Sequence, residues 1–529
     1  MLKKFLFIFI LLLIVTSVTS SGLFAAFNAS IPTYHWSYDF IRELQARGYC
    51  LDLLQMHLPY SRGQVAQSLL NQKSQLTRET PNAHVQNLLK MLIREFTAEI
   101  KQLKQDDFKT DQIDFGTNIR SNYDRTGERQ LNYRGVYRAS VGAGFDRYFQ
   151  IVSTGILDQY VYHNPTYRGV KWRGLAGYME QAYINTNTKR FHFKFGRDFL
   201  KWGPGESGTL ILSNLARPMD HFLASVKIQP FQFTFFAAQL DEAPAQRIHN
   251  SRVPVRRFLS GHRLDISFWH GRIQAAVSEL MLYGGPNETF NLVYLNPFLM
   301  YHGAHKNFAS PWGNILPSID LLVHPMRNWQ IYTSLLIDDI QVEKTGPIDL
   351  EPNEIGWIFG TQIADPLHLD GLSVQTEYVR ITNRTYKTAL PFEAFIHRNI
   401  PLGHPLGNDF DQFQISAAYW LQSNFWLKLK IAVTRHGEGS LNTPWDEPWM
   451  TYTVAEGYSE PFPTGIVEST TAIRLQTAWY IRRPVHLFGS LSFREFTNRA
   501  NVMNKNESVW KANIRIELNW NQRWNLHNK

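Results

Sequence analysis

Apolar and polar residues alternate with a period of two along most of the chain after about residue 112. In NFWLKLKIAVTR, Lys428 and Lys430 lie on one face, and the opposite face carries Phe425, Leu427, Leu429, Ile431 and Val433. The segments TAIRLQTAWYIR and SVWKANIRIELNWN alternate in the same way, with aromatic residues near their ends. A strand places successive side chains on opposite faces, so each segment predicts a β-strand with one apolar and one charged face.

The lengths of these strands and of their connections distinguish a membrane barrel from a soluble sandwich, whose strands also alternate. The strands run for about ten or more residues, which is enough for a tilted membrane strand, and we count about eighteen of them. Short connections alternate with long ones, and the long ones include 202–220, 240–256, 284–312, 344–353, 384–409 and 436–468. This alternation predicts an antiparallel outer-membrane β-barrel over residues 111–529.

The pattern before the barrel has a helical period instead. PYSRGQVAQSLL places Ser61 three residues before Gln64, which is the spacing of a capping box. Apolar residues between 85 and 100 recur at helical spacing. Residues 21–110 are therefore predicted to form a small helical bundle. An even strand number puts both ends of the barrel sequence on one side of the membrane, so the bundle is expected in the periplasm.

The first twenty residues read as a targeting segment. Lys3 and Lys4 precede an apolar run, and small residues follow it, with Val18 and Ser20 at the positions expected before a cleavage site. The alternative is a membrane anchor helix, but the run is shorter than the roughly 20 residues that span a bilayer. We predict a signal peptide over residues 1–20.

Composition narrows the class of protein. Aromatic residues make up 14% of the chain although its mean hydropathy is negative, as expected for alternating strands. The single cysteine, Cys50, allows no internal disulfide, which fits a bacterial envelope protein, and we expect it to be buried and structural. The net charge is +9, but Lys and Arg form no long blocks, so we expect no nucleic-acid partner.

The segment GRDFLKWGPGESGTLILSN, residues 196–214, resembles a phosphate-binding loop but has Thr209 where the lysine belongs. By the alternation of connections it is instead expected on a long loop facing outside the cell. We expect Gly203, Gly205 and Gly208 to allow tight turns. Trp202 is expected at the membrane interface. An ion-pair network in the barrel mouth is a further hypothesis, with the members Glu206, Arg197, Arg217 and Asp220.

Two long segments carry a family resemblance. GRDFLKWGPGESGTLILSNLARPMDHF, and GHRLDISFWHGRIQAAVSELMLYGG followed by YLNPFLMYHG, resemble the signature of the Wzi family of capsule assembly proteins. The resemblance covers most of residues 112–529. It implies an eighteen-stranded barrel with a periplasmic helical bundle, and a surface lectin that holds capsular polysaccharide of a kind the resemblance does not fix. The signature loop comprises Gly196, Arg197, Trp202, Gly203, Pro204, Gly205, Glu206, Ser207, Arg217, Pro218 and Asp220.

Cationic and aromatic side chains on the long loops are the candidates for binding an acidic polysaccharide. Arg and Lys pair with carboxylates, and aromatic rings offer flat amphipathic faces. The candidates are Tyr301, His302, His305, Lys306, Trp312, Arg384, Tyr386, Arg435, His436, Trp445, Trp449 and Tyr452. Lys387, His397 and Arg398 lie on the same loops. The alternative is that these side chains pack loop against loop and close the mouth.

Catalytic motifs are missing from the sequence. It contains no G-x-S-x-G, H-E-x-x-H, C-x-x-C or D-x-D-x-D-G pattern, and His302 and His305 alone make a weak metal site. We therefore predict no enzyme, no cofactor and no metal. The predicted protein is a monomeric, plugged barrel in the Gram-negative outer membrane, in contact with lipid and surface polysaccharide. A diffusion porin and an outer-membrane hydrolase remain as alternatives.

Overall fold

The computed structural model describes residues 27–76, 81–105, 112–127, 131–145, 148–164, 167, 169–215, 217–248, 251–305, 313–482 and 484–525. The predicted signal peptide lies outside these ranges. The helices are α1 (Ser37–Ala46), α2 (Arg62–Leu76), α3 (Ala83–Glu95), α4 (Thr97–Gln105), α5 (Gln159–Tyr162) and α6 (Tyr301–His305). Across the described ranges, no helix is both long and apolar enough to cross a bilayer.

Eighteen long strands follow α4 and its connection. They are β1 (Gln112–Thr126), β2 (Asn132–Phe145), β3 (Phe149–Asp158), β4 (Leu175–Asn187), β5 (Phe191–Asp198), β6 (Met219–Ile228), β7 (Phe231–Gln239), β8 (Ser251–Phe268), β9 (Ile273–Pro286), β10 (Asn314–Met326), β11 (Trp329–Asp339), β12 (Glu354–Ala364), β13 (Leu372–Ile381), β14 (Phe410–Gln422), β15 (Phe425–His436), β16 (Glu468–Arg482), β17 (Val485–Thr497) and β18 (Glu507–Asn525). Short strands lie at His57–Leu58, Lys171–Trp172, Lys201–Trp202, Ala243–Ile248, Ile396–His397 and Ile400–Pro401.

The long strands form one closed antiparallel barrel. β1 pairs with β2 on one side and with β18 on the other, so the sheet has no free edge. One end of the barrel carries short turns, such as 229–230 and 423–424, and we call it the short-turn end. The other end carries long connections, such as 382–409 and 437–467, and we call it the long-loop end. The prediction of eighteen antiparallel strands is confirmed.

The outer surface of the barrel is apolar. Leu429, Ile473 and Trp479 point away from the barrel axis and are exposed in the isolated chain. Their strand neighbours Lys428 and Lys430 point into the lumen, as the period-two pattern predicted. An apolar outer face around a polar interior is the property of a barrel of the outer-membrane type.

The helices α1–α4 form a packed unit at the short-turn end. Phe40, Leu88 and Phe96 are fully buried in its core, and Cys50 is buried there as predicted. The predicted capping box is confirmed, because Ser61 N donates to Gln64 Oε1 (2.8 Å) and Gln64 N donates to Ser61 Oγ (3.2 Å).

A buried ion pair joins this helical unit to the barrel. Arg47 donates through Nε and Nη2 to the two carboxylate oxygens of Asp365, at 3.0 and 2.8 Å. Asp365 lies in the turn between β12 and β13. Asn82, which caps α3, also donates to Asp370 in that turn (2.9 Å). The pair is bidentate and buried, so it fixes the orientation of the unit as well as its position.

The interior of the barrel is divided into two halves. The wall from β6 to β13 carries a large apolar cluster that packs against residues 199–218 and loop 382–409 through side chains such as Leu223, Phe236 and Leu280. Buried polar residues such as Arg263, Asp320 and Glu377 lie on the same wall. The wall from β15 to β18 is polar. Lys428, Gln476 and Asn513 there line a cavity of about 510 Å³ whose short-turn side is closed by α1. Gln330, Gln362 and Gln375 of β11–β13 line the same cavity from the opposite side, so the chain fills the lumen only in part.

Candidate functional site

Residues 199–218, which we call the inner loop, fold into the barrel. Lys201–Trp202 pairs with His57–Leu58 of the helical unit, and Gly203 N donates to Met56 O (2.9 Å). Trp202 is 0% exposed and packs against Phe236, with ring centroids 5.2 Å apart. The predictions of an outward-facing loop and of an interfacial Trp202 are wrong, because pairing with a distant segment holds the loop in the lumen.

Glycines shape the inner loop where the predicted tight turns are needed. Gly203 and Gly205 have φ of +102° and +119°, values that side-chain-bearing residues rarely adopt. Gly208 has an ordinary φ, but a Cβ there would lie 2.3 Å from Pro405 Cδ. At the end of β5, Gly196 has φ +124°, and its Cβ would meet Ala182 O at 2.2 Å. Pro204 lines the cavity of about 510 Å³ described above, and Pro218 is buried at the end of the inner loop.

A single carboxylate on β13 holds the tip of the inner loop. Glu377 accepts hydrogen bonds from Glu206 N (2.7 Å), Ser207 N (2.9 Å) and Ser207 Oγ. It also accepts from Tyr332 Oη (2.7 Å) and Gln414 Nε2 (3.0 Å) on the barrel wall. From the sequence, Glu377 was one of several acidic residues expected to face the lumen, and nothing distinguished it from the others. We call it the latch carboxylate.

Glu206 is tied to the polar half of the lumen. Its carboxylate pairs with Lys428 and accepts from Ser416 Oγ (3.4 Å). Burial alone would raise the pKa of Glu206, but Lys428 and Lys430 outweigh burial and hold that pKa at about 2. The inner loop is therefore fixed by an ionised carboxylate throughout the physiological pH range.

Acid should weaken this attachment. Because the folded pKa of Glu206 lies below the ordinary value of 4.5, its contribution is complete above about pH 4.5 and is lost as pH falls toward 2. We expect the inner loop to be equally protected from pH 8 to pH 5 and to become accessible below pH 4. The accessibility of a Leu210→Cys reporter in this loop to 2,2′-dithiodipyridine, which still reacts with thiols in acid, measures the effect. In Glu206→Gln the dependence in this window should shrink, and an unchanged dependence would contradict the assignment.

The hypothesised ion-pair network forms only in part. Arg197 Nε lies 2.9 Å from Asp220 Oδ1, so that pair exists. Arg217 instead stacks on Tyr178, with the guanidinium carbon 4.8 Å from the ring centroid. Glu206 belongs to the lumen and not to this group, because the inward fold of the loop separates them along the barrel.

Arg384 contacts two tryptophans at the long-loop end, whose rings are perpendicular with centroids 6.1 Å apart. Its guanidinium carbon is 4.2 Å from the Trp449 ring centroid and 4.9 Å from that of Trp445. Its Nη2 lies 3.1 Å from a carboxylate oxygen of Glu460. Tyr458 extends the group, with its ring 6.4 Å from Trp449 and 5.2 Å from Tyr452. We call Arg384, Trp445, Trp449, Tyr452 and Tyr458 the aromatic cluster.

The aromatic cluster has a buried base and an open edge. Arg384 and Trp449 are buried, Trp445 is half-buried, and Tyr452 is 42% exposed. The side chain of Arg435, 51% exposed, pairs with Asp411 on the outward face of the barrel, which also carries Leu429 and Val433, and His436 is half-buried. Sequence reasoning missed Tyr458 and Glu460. Their position in the same long loop as Trp445 was the available signal.

The other candidate residues lie elsewhere. Tyr301 and His302 begin α6, where their backbone N–H groups donate to Glu279 (2.8 and 2.9 Å). The side chain of Tyr301 is buried, and that of His302 is exposed. Tyr386 is buried and donates to Leu210 O of the inner loop (2.5 Å). Lys306, Trp312 and the side chain of His305 lie outside the described residues. Whether any candidate contacts a glycan stays a prediction.

No group of three or more metal-ligating side chains occurs in the part of the chain that the structure describes.

Comparison with known proteins agrees with this architecture. The family model of "Capsule assembly protein Wzi" matches residues 101–508. Among solved structures, the chain is similar to Wzi of Escherichia coli, described as an outer membrane protein involved in group 1 capsule assembly and a carbohydrate-binding β-barrel. The identity is 16%, the coverage 93% of this chain and 99% of that one, and the TM-score 0.60.

Two Pseudomonas aeruginosa proteins of known structure match the chain with lower TM-scores. OccD3 is 9% identical over 77% of this chain and 91% of its own, with a TM-score of 0.46. OprD is 8% identical over 78% of this chain and 94% of its own, with a TM-score of 0.44. A search of curated proteins finds no match. The family match spans most of the sequence, and the chain belongs to the Wzi family of capsule assembly proteins.

Proposed function

We propose that this protein holds surface polysaccharide on the bacterial cell by non-catalytic binding at the long-loop end of the barrel. The observation that carries the proposal is the aromatic cluster, in which Arg384 contacts the rings of both Trp445 and Trp449 and Tyr452 is exposed. Family membership supports a role in capsule assembly.

The proposed orientation places the long loops outside the cell and α1–α4 in the periplasm. Outer-membrane barrels carry short turns on the periplasmic side and long loops on the outside. The helical unit contacts the short turns through Asp365, which supports its periplasmic placement. The outer face, with residues such as Leu429 and Ile473, would contact lipid, and one closed barrel suffices as a monomer.

The chemistry of the rim suits a sugar chain. A pyranose ring has apolar faces and hydroxyl edges, so an exposed aromatic ring can cover a face while nearby polar groups meet the hydroxyls. Tyr452 and Trp445 offer ring faces, and Arg435, at the long-loop end of the outward face, offers guanidinium N–H groups that can meet acidic substituents. Such a surface needs contact area and hydrogen bonds, and no reacting group.

Binding by the purified protein tests the proposal. We expect the full chain in detergent to bind polysaccharide isolated from the producing cell, and the double variant Trp445→Ala with Tyr452→Ala to bind at least tenfold more weakly. Each aromatic contact of this kind contributes about 0.5–1.5 kcal/mol beyond its buried area. Trp269→Ala, at an exposed turn on the short-turn end, is the matched control. Equal binding by the double variant and the control would contradict the proposed site.

A further inference from the structure

Four cations form a row on the polar half of the lumenal wall. Lys430 lies directly opposite Arg474, Arg474 lies opposite Ser492, and Ser492 lies opposite Lys511. Arg494 stands one position nearer the long-loop end on β17. We call Lys430, Arg474, Arg494 and Lys511 the basic row. Adjacent strands are about 4.8 Å apart, so the row extends over roughly 14 Å of wall.

Within the part of the chain that the structure describes, the basic row makes no direct ion pairs, and Glu206 and Glu377 act on Lys430 only from beyond ion-pair distance. Among the described residues, no carboxylate lies within 4.0 Å of the charged nitrogens of these four side chains. Glu206 pairs with Lys428, one position nearer the short-turn end. Asp124 lies opposite Asn513, also one position further from the long-loop end than Lys511. Like charges opposite each other destabilise a sheet, so the basic row lowers the stability of the folded barrel. Residues that lower stability in this way are expected at functional sites, here a site for an anionic ligand.

The row faces accessible space. Lys511 is exposed, and Lys430, Arg474 and Arg494 are half-buried. The connection 498–506 above β17 and β18 is shorter than loop 437–467 above β15 and β16, so the long-loop end is more open over Arg494 and Lys511 than over Lys430 and Arg474. Directly below the row lies the cavity of about 510 Å³, lined by Gln476, Ser490 and Asn513 of the next position down. A volume of this size accommodates a small-molecule ligand.

The basic row adds positive charge above a cavity whose lining is mixed, with the acids Asp39, Glu43 and Glu206 and the bases Arg42, Lys201, Lys428 and Arg515. Burial and the adjacent Lys430 lower the pKa of His404, in the loop above, to about 3. Lys201, which lines the cavity, has its pKa lowered by burial and by Arg42 to about 8, so it stays largely protonated at neutral pH. Unmatched positive charge around an open space attracts and concentrates anions.

We propose that the basic row binds a polysaccharide carrying repeated negative groups, whose chain enters the polar half of the lumen from the long-loop end and reaches the cavity. The inference rests on the proposed function and adds to it a second contact region, on the lumenal wall. Four cations spread along the wall favour a polymer over a monomer, because one chain meets several of them at once.

Binding of defined probes tests the inference. The probes are polygalacturonate, dextran sulfate, neutral dextran and monomeric galacturonate. We expect the full chain to bind both charged polymers in a salt-dependent manner, and to bind dextran and the monomer at least tenfold more weakly. The polymer that binds more tightly identifies carboxylate or sulfate as the preferred group.

Two sets of variants locate the binding. The quadruple variant Lys430→Gln, Arg474→Gln, Arg494→Gln and Lys511→Gln should bind the charged polymers at least tenfold more weakly. Its control removes the same charge from exposed positions through Lys90→Gln, Lys189→Gln, Arg190→Gln and Lys227→Gln. The quadruple variant should also unfold at an equal or higher temperature, since it relieves repulsion. If it does not fold, Lys430→Gln with Lys511→Gln serves, with an intermediate loss.

The outcomes separate this inference from the proposed function. Wild-type-like binding of charged polymers by the quadruple variant overturns the inference, as does monomer binding as tight as polymer binding. Cells that retain their own polysaccharide equally with the wild-type and quadruple proteins also overturn it, and leave the proposed function intact. Cells that retain no more polysaccharide with the wild-type protein than without it overturn both.

Discussion

Glu377→Ala should release the inner loop from the barrel wall. The latch carboxylate accepts from Glu206 N, Ser207 N, Ser207 Oγ, Tyr332 Oη and Gln414 Nε2. Each buried donor left unpaired costs about 1–3 kcal/mol. The loss of two such bonds on the loop side alone shifts the opening equilibrium by about a hundredfold, since 1.4 kcal/mol is a factor of ten.

Cysteine labelling measures this opening. The single native cysteine, Cys50, is buried, and Leu210 in the inner loop is 0% exposed. In a Leu210→Cys background, we expect Glu377→Ala to raise the labelling rate by about a hundredfold. Glu377→Gln, which keeps the shape, should give a smaller increase, and Glu456→Ala on an exposed loop should give none. Unchanged labelling in a folded Glu377→Ala protein would show that other contacts hold the loop.

Arg384→Ala should disorganise the aromatic cluster and weaken polysaccharide binding. The change removes a cation that contacts both Trp445 and Trp449 and leaves the half-buried Glu460 without this partner. A cation–π contact contributes about 0.5–2 kcal/mol, so two contacts and the lost pair imply at least a tenfold loss of affinity. Binding of the cell's isolated polysaccharide is the readout.

Limited proteolysis of loop 437–467 separates the structural effect from the binding effect. Arg384→Lys keeps the charge but loses the planar stacking and the fork of N–H donors, so we expect an intermediate loss in both assays. Arg190→Ala, at an exposed turn on the short-turn end, is the control. Faster cleavage in Arg384→Ala with unchanged binding would mean that the cluster packs the loop and does not meet the glycan.

The barrel could be predicted from the sequence because its determinant is local. Alternation in segments such as 424–435 reports directly which side chains face lipid, and the count of such segments is the count of strands. The capping box at Ser61 and Gln64 was predictable for the same reason, since its two hydrogen bonds join residues three positions apart.

The path of the inner loop was not predictable, because its determinants are distant in sequence. Trp202 is buried by a pairing between Lys201–Trp202 and His57–Leu58, and Glu377 meets Glu206 across the lumen. The glycines of GPGESG indicated a sharply turning chain but not whether it turns outward or inward. Similarly, the alternation placed Lys430 and Arg474 on the lumenal face, whereas the row they form depends on the register between strands.

Deleting the gene and following the polysaccharide tests the central claim most directly. Cell-bound and shed polysaccharide are compared by staining and by uronic-acid assay in the deletion strain and in the strain complemented with the full chain. We expect the total amount of polysaccharide to be unchanged in the deletion strain. We expect the polysaccharide to be in the medium instead of on the cells, and to be on the cells again in the complemented strain. Polysaccharide that stays on the deletion cells while uptake of small solutes falls would contradict the account and favour a diffusion porin.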